Sequence, residues 1–440
     1  MQAPKNYQFE VFKKFNNQDA YPLAERWLSI VCSLPQISRG EITGELRRGK
    51  PSISKIEILV ASPQPAAARN SICDMLSSRR YGFESQSDFV LLNLENGMQI
   101  SIWLTADERF GSILHATTGS QAHLNWFALR AAQAGFKYEN GGLFYNERFL
   151  SFAQEKLLFQ KIDLPFIPPE LREGALESLT IASDRQFNLV DRKDLCADLH
   201  VHSTWSDGID SMENMVKAAI NNNLELIAFT DHSPHIMKKR YTDHTYLFKQ
   251  QNEIDALKRE YGSRLQILKG VEVDILDDGS LDLTDDILSK MEIVIASMHT
   301  HFDQPIEIIT NRYLKAIQNP YVNIIGHPGG RLFPMSDFTY VDWDRIFREA
   351  AMNNVALEIN SHKSHPLFDG ERVYQAALQG VPIVINSDAH HTGMFENSLY
   401  GTFIARRAGL QKSQVINTWR SEDIKFWLNT KGKSTHRCNI

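Results

Sequence analysis

Short, almost wholly apolar runs recur through the second half of the chain: DLHVH, LELIAFTDH, LQILKGVEV, EIVIASMH, VNIIGHP, VALEIN and VPIVINSDAH. Each is rich in Val, Ile and Leu, and a strand that is apolar on both faces is one buried on both. Between them lie SMENMVKAAINN, YLFKQQNEIDALKREYG, IEIITNRYLKAIQN, DWDRIFREAAMNN and ERVYQAALQG, whose apolar residues fall three and four apart, the spacing of one helix face. Strands that alternate with helices are joined by crossovers, which makes them parallel. Seven such runs predict an α/β unit closed into a barrel, with an open doubly wound sheet as the alternative. Upstream, roughly 162–195 carries three prolines close together and then mixed polarity, and reads as the connection between two parts.

The polar residues sit where the apolar runs end. In DLHVHSTWSDG, His200 and His202 stand two apart on a strand, so both project from one side, and Asp207 follows at the turn. Asp231–His232, Glu272, His299, His327, Asp388 and His390 end the later runs. The C-terminal strand ends of an α/β barrel form its reaction face, so these groups are delivered to one rim. Singly, each has a plainer explanation: a strand-end His as a hydrogen-bonded structural residue, the Asp of SDA or TDH as a cap, Glu358 as a residue that backs a ligand or one that merely packs, His301 as a solvated loop residue. Together they would destabilise the fold unless something bound them.

Composition narrows the chemistry. At 440 residues the chain has room for two or three domains. Residues 1–190 hold 20 Lys+Arg against 20 Asp+Glu, so the whole net charge of −6 lies beyond them and no strongly basic nucleic-acid surface is written into the composition. Four cysteines without paired spacing, no apolar run of bilayer length and no signal-like N-terminus suggest a reduced, cytoplasmic protein. Imidazole and carboxylate ligands without cysteine suit Zn, Mn or Fe, and so many groups exceed the needs of one ion, so two or three divalent ions are expected. A bridging carboxylate would hold them a few ångströms apart, and Glu272 is the best placed. Such clusters hydrolyse phosphate esters. Arg331, in GHPGGR, offers a guanidinium fork for phosphate, or is a surface arginine.

The motifs DLHVHSTWSDG, FTDHS, KGVEVDIL, SMH, GHPGGR and NSDAH, over about 195–400, strongly resemble the polymerase-and-histidinol-phosphatase (PHP) family. The resemblance implies a distorted (β/α)7 barrel with a trinuclear metal site, held by His200, His202, Asp207, His232, Glu272, His299, His327, Asp388 and His390. His232, Asp207 and Asp388 are candidates for proton transfer, with Arg331 as the phosphate contact. Where relatives follow LEIN with a proline- and arginine-bearing loop, this chain has SHKSHPLFDG, so His362, Lys363 and His365 are substitute substrate contacts.

The first part resembles the core of bacterial family X DNA polymerases, in which a PHP domain follows the polymerase. AERWLSIVCSL is similar to a fingers remnant, GELRRGKPSISKIEILV to the palm, and TTGSQAHLNWFALRAAQAGFKYENGGLFYN to the thumb. The expected division is a fingers remnant over 1–40, a smaller α+β palm and thumb over 41–165, a linker over 166–194 and the PHP domain over 195–440. The family's helix-hairpin-helix domain is expected to be missing, because few residues precede the fingers segment. Its Asp-x-Asp is Lys55-Ile56-Glu57 here, its third aspartate is Ser101, and the serine of its Gly-Ser pair is Glu45, so nucleotidyl transfer is expected to be lost. Arg47, Arg48 and Thr118-Gly119-Ser120 remain candidate contacts to a nucleic-acid backbone.

The function expected is a metal-dependent phosphoesterase, foremost a 3′-5′ exonuclease or DNA-end phosphodiesterase. A small-molecule phosphomonoesterase of the histidinol-phosphatase type and a DNA-binding repair scaffold are the alternatives. DNA 3′ ends or another phosphate ester are the partners, and no membrane is.

Overall fold

The computed structural model describes residues 14–174, 177, 188–237, 244–329, 341–363 and 368–431. The chain divides into two units, Met1–Phe187 and Asn188–Ile440, and the division falls inside the stretch read as a connection.

The first unit is built on a five-stranded sheet in the order Arg39–Thr43, Ile56–Ala61, Gln99–Thr105, Phe89–Asn93, Phe83–Ser85. Only Ile56–Ala61 and Gln99–Thr105 run parallel; the other pairs are antiparallel. Alternate residues of that central pair, Ile56, Ile58 and Val60 with Ile100, Ile102 and Leu104, share one core with Ala20, Ala24, Trp27 and Val31 of helix Asn17–Cys32 and Ala68, Ile72 and Leu76 of helix Pro65–Ser78. Leu59 and Ala61 instead pack on Phe110 and Leu114 of helix Phe110–Thr118. Helix Gln121–Gln133 and a small antiparallel sheet spanning Lys137–Leu150 follow.

Arg47 and Arg48 do not face outward for a nucleic-acid backbone. Arg47 forks onto Glu155 at 3.0 and 2.7 Å, and Arg48 donates to Glu173 at 3.0 Å and to the Thr118 carbonyl at 2.7 Å. Arg48 is buried and Arg47 half-buried, and each has its charge met by a carboxylate of the same unit.

The second unit carries seven strands: β1 (Ala197–Val201), β2 (Leu226–Phe229), β3 (Gln266–Asp274), β4 (Ile293–Ser297), β5 (Ile324–Ile325), β6 (Ala356–Asn360) and β7 (Ile383–Asn386). Each pairs in parallel with the next. A parallel bridge between Val201 and Ala389, with the His202 amide donating to the Ala389 carbonyl at 2.9 Å, brings first to last. The sheet is therefore a nearly closed seven-stranded barrel and not an open doubly wound sheet. Helices α1 (Met212–Asn221), α2 (Thr245–Tyr261), α3 (Asp285–Leu288), α4 (Ile306–Gln318), α5 (Trp343–Asn353), α6 (Gly370–Leu378) and α7 (Ser398–Arg407) follow the strands in turn.

The barrel is layered along its axis. Leu199, Leu226, Ala228, Leu268, Ile293, Ile295, Ile324, Ala356 and Val384 fill one end of the lumen, closed by Ile416, Ile424 and Trp427 from the C-terminal segment. The intervening residues, among them Val271, Val273, Val294, Ala296, Leu357 and Ile359, pack outward on the helices. Further along the inward parity the apolar residues give way to His232, Glu272, Asp274, Glu358, Asn360 and Asn386, all buried. On β1 the register shifts between Asp198 and Val201, which lets Leu199 join the apolar layer while His200 enters the polar one.

Side chains stand in for the ladder where β1 meets β7. Asn386 Oδ1 accepts from the Leu199 amide at 3.0 Å. Asn417 accepts from the Ile385 amide at 2.7 Å and donates to the Ala197 carbonyl at 3.0 Å. Replacing Asn417 by Ala would strand both backbone groups in a fully buried seam. Asn417→Ala is expected to lower stability by about 2–4 kcal/mol, read as a fall in the urea midpoint with the slope unchanged.

Candidate metal centre

The polar end of the lumen converges on one carboxylate. Glu272, 1 % exposed, has Oε2 within 3.5 Å of His200 Nε2 and His202 Nε2 and 2.8 Å from His232 Nδ1. Its Oε1 lies 3.4 Å from His299 Nε2 and 2.9 Å from His327 Nε2. The two oxygens thus look toward different sets of imidazoles, the arrangement of a carboxylate that bridges. Asp388 Oδ1 is 3.0 Å from His202 Nε2 and 3.5 Å from His200 Nε2. Asp207 approaches His232 at 3.5 Å, His390 at 3.3 Å and His202 at 3.6 Å. All nine residues picked out by motif therefore lie in one contiguous cluster.

Three groups in it have atoms close enough to share an ion: His202, Asp207, His232 and His390; His200, His202 and Asp388; and His232, Glu272 and His299. They overlap through His202 and His232. His327 touches Glu272 without joining any of the three. Depth separates the members: Asp207 keeps 41 % of its side chain exposed and His390 19 %, while the rest are buried. The open edge of the cluster is at these two.

Behind the cluster stand acids and amides that aim the imidazoles, and sequence reading largely missed them. Glu358 accepts from His200 Nδ1 at 2.8 Å, turning Nε2 inward, and also from the His327 amide, Asn360 and Asn386. Asp274 holds His299 Nδ1 at 2.6 Å. Carboxylates in this position fix the tautomer and raise the basicity of a ligating histidine. Asp231, which also ends its strand, turns away: it accepts from the amides and hydroxyls of Ser203 and Ser206 and from Gln250. It organises the turn that presents Asp207. A period-two count along LEIN and VEVD places Glu358 and Asp274 on the inward face, which is the signal that could have found them. His301 is an exposed loop residue. Arg331 and His365 lie outside the described residues.

Buried, the cluster is electrostatically unresolved by itself. Burial opposes ionisation of Glu272, yet the charges of His232, His200 and His299 hold it well below the usual carboxylate range. Burial pulls His200 down, but Glu358, Asp388 and Glu272 lift it well above the ordinary imidazole value. Burial is likewise outweighed at His232, raised to about 10 by Glu272 and Asp207. Burial and then the charge of His390 push His202 down to about 3. The acids are thus neutralised by protons on some imidazoles and not others, and metal cations would replace those protons. The donor set fits that exchange: Nε2 of His200, His202, His232 and His299 is buried and faces carboxylate oxygens at 3.0–3.5 Å without the alignment of a hydrogen bond. His327 and Asp388 adopt left-handed backbone, φ 26° and 52°. Such conformations cost about 1–3 kcal/mol each and collect at functional sites.

The corresponding corner of the first unit is different. Glu57 and Ser101 are register partners on adjacent strands. Lys55 sits 2.9 Å from Glu57, and Trp103 also reaches that carboxylate. Glu45 is held by Lys50 and Ser54. Among the described residues, no group that could hold a metal falls in this unit.

Comparison with known proteins agrees with this division. The family described as PHP domain matches residues 198–362, and the family described as DNA polymerase beta thumb matches residues 113–173. The DNA polymerase/3′-5′ exonuclease PolX of Bacillus subtilis (strain 168) is 33 % identical over 88 % of this chain and 68 % of its own. A probable phosphatase of Thermoanaerobacter sp. (strain X514) is 33 % identical over 54 % of this chain and 96 % of its own. Another, from Syntrophotalea carbinolica, is 30 % identical over 52 % and 94 %.

Glu272→Gln keeps the shape of the hub and removes its charge. The variant is expected to lose at least one equivalent of tightly bound divalent metal by elemental analysis. Its melting temperature is expected to respond less to added Mn than that of the parent chain.

Proposed function

The chain belongs to the PolX family of DNA polymerase/3′-5′ exonuclease proteins, and we propose that its barrel removes nucleotides from DNA 3′ ends. Membership makes the barrel a metal-dependent phosphoesterase. The observation that carries the finer reading is the Glu272 hub, whose two oxygens serve overlapping histidine and carboxylate groups. Two or three divalent ions, of Zn, Mn or Fe, would be held by His200, His202, Asp207, His232, Glu272, His299, His327, Asp388 and His390. When bound, they activate water and stabilise the entering and leaving oxygens of a phosphodiester.

The chain's own residues supply the rest. Asp207 and His390, at the exposed edge, meet the scissile phosphate first. His232, Asp207 and Asp388 are placed to take and return protons, each within 3.5 Å of another ionisable member of the cluster. His362, whose ring centroid lies 5.5 Å from that of His390, and the exposed Lys363 beside it extend the edge toward the next phosphate. Arg331 is assigned to the phosphate on its motif alone.

The polymerase-like unit serves, in this reading, to hold DNA without extending it. A lysine and a serine replace two of the three carboxylates that nucleotidyl transfer needs, and Glu57 is ion-paired to that lysine. The cytoplasm is the proposed location; among the described residues no helix is long and apolar enough to cross a membrane. A second reading, a small-molecule phosphomonoesterase, is favoured by the match of about half of this chain to nearly the whole length of the probable phosphatases and by the net charge of −6.

With Mn and a labelled single strand, the protein is expected to release mononucleotides from the 3′ end, and His202→Ala to slow release by at least about 100-fold. Primer extension is expected to be absent. Turnover of phosphate monoesters with no nucleotide release under any divalent metal would replace the exonuclease by the second reading.

A further inference from the structure

Arg312 lies on α4, outside every motif, yet it is among the largest fully buried side chains, at 1 % exposure. Its guanidinium spans two loops. On one side Nε donates to the Leu276 carbonyl at 2.8 Å and Nη2 to the Ile275 carbonyl at 2.7 Å. On the other, Nη1 donates to the carbonyls of Thr300 at 3.2 Å and His301 at 3.1 Å and to Gln304 Oε1 at 2.9 Å. The first loop begins directly after Asp274 and the second directly after His299, the two residues joined at 2.6 Å. Gln304 ties the same loops again, donating to the Asp277 carbonyl at 3.2 Å. The approach is close enough that a Cβ on Gly279 would meet the Arg312 Cα at 3.1 Å.

We propose that Arg312 is a positioning residue for the metal centre: its fork locks the loops behind Asp274 and His299, and so fixes the His232, Glu272 and His299 group. This rests on the metal-centre reading above. A buried cation whose hydrogen bonds all go to neutral oxygens, with Asp277, Asp274 and Asp278 acting on its charge from further off, is expensive to keep and could be replaced by a hydrophobe if only packing were needed. What a hydrophobe cannot do is hold five oxygens from two loops in one plane, which a guanidinium does by its geometry. His200, His202 and Asp388, built on β1 and β7, are not hydrogen-bonded to the clamped loops, and His200 and His202 meet the clamped group at Glu272. Its loss should therefore act on one part of the cluster and spare the other.

The test is metal titration of the full chain with Mn, followed by elemental analysis and electron paramagnetic resonance, for the parent, Arg312→Gln, Arg312→Lys and Gln304→Ala. Arg312→Gln is expected to weaken one class of bound Mn by about 10–100-fold, with the remaining equivalents retained and kcat falling more than KM rises. Arg312→Lys, which keeps the charge and loses the fork, is expected to behave like Arg312→Gln; full recovery by lysine would overturn the proposal. Gln304→Ala cuts one strand of the clamp on a half-buried residue, and is expected to weaken the same Mn class several-fold with an unchanged circular dichroism spectrum. If the arginine variants do not fold, Gln304→Ala decides, and unaltered Mn affinities in it would refute the role. A parent chain that takes up no metal would instead refute the reading on which the proposal stands.

Discussion

A carboxylate sealed from water and ringed by five imidazoles is the constraint around which the barrel is arranged. Alone in such surroundings Glu272 would protonate, because ionisation in a poorly polarisable interior is unfavourable. The charges of His232, His200 and His299 hold it well below the usual carboxylate range, and His202 and His327 reach it as well. Those five come from the ends of four different strands, so the hub is satisfied only when those strands are in register. Register and charge balance are therefore one condition met twice.

The layered lumen is how the fold meets it. Apart from the shift on β1, inward positions follow a period of two, and the same parity that buries Leu268, Ile295 and Ala356 carries on to Glu272, His299 and Glu358. The apolar layer supplies the stability that the polar layer draws down through buried charge and through left-handed backbone at His327 and Asp388. Around the polar layer, Asp231, Asp274, Glu358 and Arg312 have no open position of their own. Each satisfies backbone or imidazole donors and acceptors that would otherwise be stranded. Where the barrel seam cannot close by backbone alone, Asn386 and Asn417 do the same for amides.

The first unit applies the same rules to another end. Arg47 and Arg48 are paired to Glu155 and Glu173, and Arg172 reaches Glu155 as well at 2.5 Å, so basic residues that look available along the chain hold the unit together. Charge read from a sequence counts residues; charge presented to a partner depends on which of them are already matched.

Much of this was written in the chain. Apolar runs of strand length alternating with helix-spaced segments determine a parallel α/β unit, because burial on both faces leaves no other periodicity. Most of the clustered residues were legible for the same reason, standing at or near the end of an apolar run, and the resemblance to the PHP family then singled out the nine. The sequence does not carry the distances across the barrel, and so only the tertiary structure decided three things. It closed the sheet, through Val201, Ala389 and the two asparagines of the seam. It sorted similar residues into different duties, Asp231 to a turn and Asp388 to the cluster, although both end a strand. It also brought Arg312, which no motif marks, behind Asp274 and His299. Local periodicity follows from neighbours in the chain, whereas pairing across the lumen depends on which strands lie opposite once the ring has formed.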